Sequence, residues 1–191
     1  MLYTVPRTEL IKHPQSIIPT IEGDYYISTT AIFTRSVSET HRITRLLNTL
    51  NIGTVSLQND LSRQSRVVAF NKLNFKECHA IVATDVAAIL CDPIPRVDRI
   101  IHFSLTWSVT AEAYTRRCVS NALGLDGDDD SRHAITFVTQ HDVEIYLRLE
   151  NALDVPMAEY AVDVDMVMAC KGQVDEAVRE DPSLRDTGTS A

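Results

Sequence analysis

The fold is decided by the stretch HAIVATDVAAILCDPIP, which runs from His79 to Pro95. Inside it an apolar run at residues 80–83 ends in Thr84 and Asp85, and a second strand pattern follows at residues 97–104. Short apolar runs that end in polar turns are typical of buried parallel strands. Open α/β sheets bind ligands at the carboxyl ends of such strands. The stretch therefore predicts two strands of an α/β sheet, with polar residues at the edge where ligands bind.

The same alternation of strand and helix patterns extends along the chain on both sides of this stretch. Ser36 and Glu39 have the spacing of a capping box, and Thr139 and Asp142 can cap a later helix. Strands alternating with helices imply βαβ units and a parallel sheet that is covered on both faces. We therefore predict strands at 29–34, 53–58, 79–84, 97–104 and 133–139, and helices at 36–50, 62–73, 108–123 and 141–153.

The pattern divides the chain into four parts. We predict an irregular lead-in at 1–28, an α/β domain at 29–153, a helical extension at 154–181 and a disordered tail at 182–191. Within the extension a helix is predicted from Met157 to Glu180. We expect one apolar stripe of this helix to pack against the domain or a partner through Tyr160, Val164, Val167 and Met168, continued by Cys170, Val174, Ala177 and Val178.

Composition narrows the class of protein. The net charge of −8 argues against nucleic-acid binding through a broad basic face, and residues 154–191 alone carry nine acids and three bases. The chain shows neither an apolar run of the roughly 20 residues that span a bilayer nor the pattern of a secretory signal peptide. The four scattered cysteines predict reduced thiols in an intracellular protein, and the six histidines lack metal-ligand spacing, so no metal site is predicted.

Several segments resemble one known family, the DEAD-box RNA helicases. The decisive stretch resembles motif V of that family, usually ATDVASRGLDIP, and AIFTRS at 31–36 resembles motif IV. LQNDLSRQSR at 57–66 resembles the segment that usually ends QxxR, and YTRRCVSNAL at 114–123 stands in the place of motif VI, usually YIHRxGRTGR. The resemblance runs from about residue 2 to 153 and implies the second RecA-like domain. The closing segment at 135–153 is most similar to the nucleolar subgroup that assists small ribosomal subunit assembly, which implies a nuclear or nucleolar location.

The resemblance also implies site residues. In this family ATP and Mg²⁺ lie between two RecA-like domains, and RNA phosphates contact the strand ends of both. It implies RNA contacts for Arg35, Arg66 and Thr84, and nucleotide contacts for Asp92 and Arg117. Each has a plainer alternative: the arginines as solvated or ion-paired surface charges, and Thr84 as the cap of a following helix.

The chain departs from the family where ATP chemistry would occur. Ser120 and Leu123 stand in place of the two motif VI arginines that neutralise charge on the transferred phosphate, and Val119 replaces a glycine. An arginine finger is worth about 10³–10⁵ in rate. In the segment that resembles motif V, Ala88, Ile89 and Leu90 replace the Ser, Arg and Gly of the family. The 191 residues also contain no GxxxxGK[ST] pattern for phosphate binding. We therefore predict no catalytic residues, a chain inactive on its own, and ATP and Mg²⁺ binding only if a first RecA domain completes the site.

Three interpretations follow. The chain is a degenerate helicase domain that binds RNA weakly, together with a protein partner such as a ribosome-assembly factor. Alternatively it is one half of a split helicase whose P-loop and DEAD acids lie on a separate first RecA domain. The third alternative is a truncated product without function. Intact strand patterns and helix caps favour selection for folding, and the loss of both motif VI arginines disfavours the split helicase.

Overall fold

Five parallel strands form a single sheet at the centre of the molecule. The computed structural model describes residues 29–58, 61–84, 97–106, 110, 112–114, 133–153 and 162–184. The strands are β1 (Thr30–Thr34), β2 (Thr54–Leu57), β3 (Ala80–Thr84), β4 (Arg99–His102) and β5 (His133–Thr136). They pair in the order β2-β3-β1-β4-β5, and each pairing is parallel. The predicted RecA-like α/β sheet is confirmed, with strands one to a few residues shorter than their patterns.

The helices follow the predicted order. They are α1 (Val37–Thr49), α2 (Arg63–Asn74), α3 (Val143–Leu153) and α4 (Val164–Glu180), and a 3-10 turn, Pro182–Leu184, ends the described chain. Residues 112–114 are helical. Thr110 is described and is not helical, and its hydroxyl accepts a bond from the Ala113 N–H at 3.1 Å. The rest of the helix predicted at 108–123 lies outside the described residues, as does the lead-in predicted at 1–28. The division of the chain into domain, extension and tail stays a prediction.

The sheet separates two apolar cores because successive strand residues point to opposite faces. On one face α1 contributes Ile43 and Leu47, which pack against Ile32 of β1 and Val82 of β3. On the other face Leu73 of α2 joins a core whose further members include Phe33, Ala69, Ile81 and Ala83. The two helices therefore lie on opposite sides of the sheet, and the central strand β1 is completely buried.

Local hydrogen bonds explain where the helices begin. The Ser36 hydroxyl accepts a bond from the Glu39 N–H at 3.1 Å, and the Ser62 hydroxyl accepts one from Ser65 at the same distance. Each bond satisfies an N–H that the first helical turn leaves without an intrahelical partner. Before α3, the buried Asp142 carboxylate accepts bonds from the Thr139 N–H at 3.2 Å and from its hydroxyl at 2.5 Å. The cap predicted at Ser36 is thus formed, whereas these Asp142 bonds run back to Thr139, ahead of the helix.

The ends of α1 and α2 share a left-handed residue. Asn51 has φ 60° and Lys76 has φ 57°, the region where glycine is normally favoured. After α1 the Ile52 N–H donates to the Leu47 carbonyl at 2.8 Å, and the same pattern recurs after α2. This is a Schellman ending, which satisfies the last free carbonyls of the helix. It turns the chain sharply after Phe75, which is left 74% exposed.

The helical extension packs on the domain through part of the predicted stripe. Val167, Cys170, Val174 and Ala177 of α4 are buried. Val164 and Met168, predicted to pack, are instead 58% and 51% exposed, and Tyr160 lies outside the described residues. The buried positions recur at intervals of three and four, which forms one continuous row on an α-helix, and Met168 lies to its side. The helix also begins at Val164 with Asp163 as its cap, later than the predicted Met157.

The turn after α4 corrects a second expectation. The prediction of a disordered tail includes residues 182–184, but they form a 3-10 turn whose Leu184 is buried with Leu46 of α1. The Arg45 guanidinium lies 2.5 Å from the Asp181 carboxylate. Hydrogen bonds from Ser183 lower the pKa of Asp181, and the charge of Arg45 lowers it further. The sequence 181–184 therefore anchors the end of α4 to α1.

We predict that the row on α4 contributes to stability. The substitution Val174→Ala should lower the free energy of unfolding by about 1–3 kcal/mol, because it leaves a gap against α1. Met168→Ala removes an exposed side chain from the same helix and is expected to change the free energy of unfolding by about 0.5 kcal/mol or less. Urea denaturation followed by circular dichroism measures both. Equal effects of the two substitutions would mean that the row does not hold α4 in place.

Two further properties concern the whole described chain. Cys78 and Cys170 are buried free thiols, and burial raises the pKa of Cys78, which keeps it in the unreactive thiol form. Cys91 and Cys118 lie outside the described residues. Within the parts that the structure describes, no helix combines the length and the apolar character needed to cross a membrane.

Candidate nucleic-acid interface

Polar side chains gather at the carboxyl edge of the sheet. Thr34 and Thr84 are the last residues of β1 and β3, and Gln58 and Ser104 follow β2 and β4. All four are at most 5% exposed, although the middles of these strands are mostly apolar. Buried polar groups need hydrogen-bond partners. These four side chains therefore require hydrogen-bond partners at this edge of the sheet.

Thr34 and Thr84 are paired directly across neighbouring strands. The Thr34 hydroxyl shares a 2.6 Å hydrogen bond with the Thr40 hydroxyl of α1 and lies 3.4 Å from the Ala83 carbonyl of β3. These contacts tie the ends of two central strands to the first turns of α1. Thr84, predicted from the resemblance to contact RNA phosphate, lies opposite Thr34 in the sheet and is 5% exposed.

Arg35 follows β1, and a three-member network fixes its backbone. The Arg35 N–H donates to the Ser104 hydroxyl at 2.8 Å and to the Glu39 carboxylate at 3.3 Å. The Ser104 hydroxyl in turn donates to the same carboxylate at 2.5 Å. Because a charged acceptor strengthens such bonds, this network joins β1, β4 and α1. The Arg35 side chain itself is exposed, so a fixed backbone presents a cation at the edge.

The sequence analysis does not identify the roles of Ser104 and Glu39 in this network. It predicts Glu39 only as half of a capping box, and the carboxylate instead reaches beyond the cap to the Arg35 N–H. It includes Ser104 only as the end of a predicted strand. Ser104 shares with Thr84 the feature that makes Thr84 recognisable in the sequence: it is a polar residue at the carboxyl end of a predicted strand.

Arg66 reaches the edge from the other face of the sheet. It lies in the first turns of α2, which begins at Arg63 soon after the end of β2. The Arg66 side chain is half-buried. Since β2 pairs with β3, Arg66 lies near the same end of the sheet as Thr84. The structure thus places Arg35, Arg66 and Thr84 on three adjoining elements at one edge, and their contacts with RNA stay predictions.

An aromatic stack supports the β4 side of the edge. The buried His102 ring lies between Phe33 and Tyr114, with ring centroids 5.4 Å and 4.5 Å away and interplanar angles of 27° and 26°. The Tyr114 hydroxyl shares a 2.7 Å bond with the Thr136 hydroxyl of β5. The stack therefore joins three strands to the residue that opens the motif VI-like segment. Stacked rings of this kind add to the energy of simple burial.

The remaining predicted site residues are not covered by the structure. Asp92 and Arg117, predicted to contact a nucleotide, lie outside the described residues, as do Ser120 and Leu123. Among the residues that the structure does describe, no three His, Cys, Asp or Glu side chains are grouped as ligands for a metal ion. The edge formed by Thr34, Arg35 and Thr84 offers a cation and hydroxyl groups, which suit phosphate oxygens.

Comparison with known proteins agrees with this geometry. Residues 17–119 match the family model described as the helicase conserved C-terminal domain. A curated ATP-dependent rRNA helicase, rrp3 of Sclerotinia sclerotiorum, is 39% identical over 171 residues, which is 85% of this chain. The chain spans 34% of the length of that relative.

Solved structures with the same fold are DEAD-box proteins. Domain 2 of the Mss116p helicase bound to an RNA duplex superposes with a TM-score of 0.68 at 18% identity, covering 93% of this chain and 68% of the other. The Escherichia coli DEAD-box protein SrmB, bound to regulator of ribonuclease activity A, gives 0.66 at 21% identity, covering 84% and 85%. At these identities the likeness extends to the fold.

Proposed function

Because this chain belongs to the helicase conserved C-terminal domain family and is of the DEAD-box type, we propose that it is a non-catalytic binding module for RNA and protein in rRNA processing. The observation that carries the proposal is the contrast between two parts of the chain. At the carboxyl edge Thr34 and Thr84 are buried, and a hydrogen bond fixes the backbone of Arg35, whose exposed side chain supplies a cation for phosphate. The sequence of the motif VI segment has lost both arginines that the chemistry requires.

The RNA contact is proposed to be weak and sensitive to salt. Arg35 and Arg66 supply two cations at the edge, and Thr84 supplies a hydroxyl. Against them stands a net charge of −8, which repels a polyanion as a whole. A single RecA-like domain also offers only half of the groove in which helicases of this family hold RNA. Micromolar or weaker affinity follows from these opposing terms.

An RNA titration tests this proposal. Fluorescence anisotropy with single-stranded RNA should give a Kd weaker than about 1 µM at physiological salt. Replacing both Arg35 and Arg66 with Ala should weaken binding further. The slope of log Kd against the logarithm of the salt concentration should also become shallower, by about 0.7 for each phosphate that is no longer neutralised. The matched control replaces Lys171 and Arg179, two bases on α4, so that the total charge changes equally.

The control separates a site from a general charge effect. If the α4 double substitution weakens RNA binding as much as the Arg35 and Arg66 substitution, the edge is not the binding site. A Kd well below about 1 µM at physiological salt would also contradict the proposal, because such tight binding would require contacts beyond those the edge offers.

Protein partners and location complete the proposal. The solved SrmB structure contains a bound protein regulator, and the curated relatives are rRNA helicases. By analogy we place this chain in the nucleolus with a ribosome-assembly factor or a separate first RecA domain as its partner. Purification of the tagged chain from its native cells should recover such a protein together with pre-ribosomal RNA. Recovery of neither, with an intact tagged chain, would contradict this part.

A split helicase is the second candidate. The observation that favours it is the ordered edge itself, because in the intact family this edge faces the first RecA domain across the ATP. In that case ATP and Mg²⁺ would be bound only in the assembled pair, through residues of the first domain together with Asp92 and Arg117. The substitutions at Ser120 and Leu123 weigh against it.

A further inference from the structure

The outward face of α2 is apolar where a solvent-facing helix is normally polar. Val67 and Val68 are 50% and 49% exposed, and Phe75 at the end of the helix is 74% exposed. Spacings of seven and eight residues bring Phe75 onto the same face as the two valines. Arg63 and Lys72 lie exposed beside them. We call these five residues the α2 patch. Residues 63–76 carry four bases and no acid, in a chain whose net charge is −8.

A second exposed apolar surface lies at the start of α4. Val164 and Met168 are one helical turn apart and 58% and 51% exposed, to the side of the row that packs on α1. Asp163 and Asp165 are exposed beside them, and residues 162–170 contain these two acids and no base. We call these four residues the α4 patch. Like the α2 patch it combines exposed apolar side chains with charged ones, and its charge has the opposite sign.

The two patches cannot meet within one chain. The α2 helix packs on the sheet face that holds Phe33 and Ile81, whereas α4 lies outside α1 on the opposite face. The sheet and α1 therefore separate them. They can meet only when the α2 patch of one molecule contacts the α4 patch of another.

We propose that the chain associates with a second copy of itself, head to tail, through the α2 patch of one copy and the α4 patch of the other. Val67, Val68 and Phe75 would cover Val164 and Met168, and Arg63 and Lys72 would face Asp163 and Asp165. Charge complementarity sets the partner and the orientation, since two α2 patches or two α4 patches repel each other. The contact leaves one patch free at each end, so association continues into short chains.

The observations favour a protein surface over RNA at the α2 patch. Phe75 offers one ring for base stacking, but Val67 and Val68 offer none, and only another apolar surface would remove their exposed area from water. The patches are small, so the association is weak and transient, like other contacts well below the standard interface size. The contact uses neither Arg35 nor Thr84, and Arg66, which the RNA proposal uses, lies on the same helix but outside the α2 patch.

Sedimentation velocity of the full chain tests the proposal. The average mass should rise with concentration up to about 1 mM and fall when salt is added. One variant carries Arg63→Glu and Lys72→Glu, which makes the α2 patch acidic. The other carries Val164→Lys and Asp165→Lys, which makes the α4 patch basic. Each variant alone should associate about tenfold more weakly than the natural chain, because like charges then face each other.

Mixing the two variants gives the decisive result. The acidic α2 patch of one then faces the basic α4 patch of the other, and the remaining two patches keep their natural pairing, so association should return. All four changed residues are exposed, and circular dichroism checks folding; a variant that does not fold is replaced by Phe75→Ser or Met168→Ser. The proposal would be overturned if the natural chain stayed monomeric. It would also be overturned if either charge-reversed variant associated as strongly as the natural chain, or if the mixture of the two variants stayed dissociated.

Discussion

Mixed with the first RecA domain of a DEAD-box helicase, this chain is expected to add no RNA-stimulated ATP hydrolysis above that of the first domain alone. The first domain would supply the phosphate-binding loop and the magnesium ligands. It cannot supply the two arginines that the resembled family places on the other side of the ATP, where this chain has Ser120 and Leu123. Arginine fingers contribute about 10³–10⁵ in rate, so their loss reduces turnover below detection. Phosphate release in the presence of saturating RNA is the measurement.

Variants of the same segment serve as controls for this result. Ser120→Arg with Leu123→Arg restores the charges and is expected to remain inactive, because Val119 stands where the family has glycine. A β-branched side chain cannot enter the backbone conformations open to glycine. Adding Val119→Gly is the change most apt to restore turnover. Clear activity of the natural chain with the first domain would refute the non-catalytic proposal and establish the split helicase.

Much of this architecture is encoded locally in the sequence. Four of the five strands end in a polar residue and β2 is followed by one, Gln58, and such patterns can be recognised without any tertiary information. The caps at Ser36 and Ser62 depend only on residues three positions apart. Arg35 and Thr84 could be placed at one edge because the carboxyl ends of parallel strands share an edge.

Features set by tertiary contact were not predictable in the same way. The apolar stripe predicted on α4 is wider than the row that is buried. Val174 packs with Leu46 and Leu184 as predicted. Met168, also predicted to pack, is exposed because no neighbouring element of the described chain covers its side of the helix. The network of Glu39 with Ser104 joins residues 65 positions apart, so no local pattern reveals it. The 3-10 turn is held beside α1 by the pairing of Arg45 with Asp181. A short polar segment at the end of a chain gives no sign of such a contact.

Phe33 should be among the residues whose loss costs the fold most. It lies in β1, the central strand of the sheet, is 1% exposed, packs in the core beneath α2 and stacks on His102. Phe33→Ala is expected to lower the free energy of unfolding by about 3–5 kcal/mol, because the small side chain leaves a cavity in the central strand. That is a large part of the roughly 5–15 kcal/mol that stabilises a typical domain.

Phe75→Ala provides the matched control, because the same side chain is removed at a position that is 74% exposed. It should change the free energy of unfolding by about 0.5 kcal/mol or less. Urea denaturation compares the two variants, and near-ultraviolet circular dichroism reports the surroundings of Tyr114. Phe33→Ala should also weaken RNA binding, because the stack that includes Phe33, His102 and Tyr114 supports the edge on which Arg35 is presented. A variant with natural stability, or one that is destabilised no more than Phe75→Ala, would show that β1 is not the centre of the cooperative core.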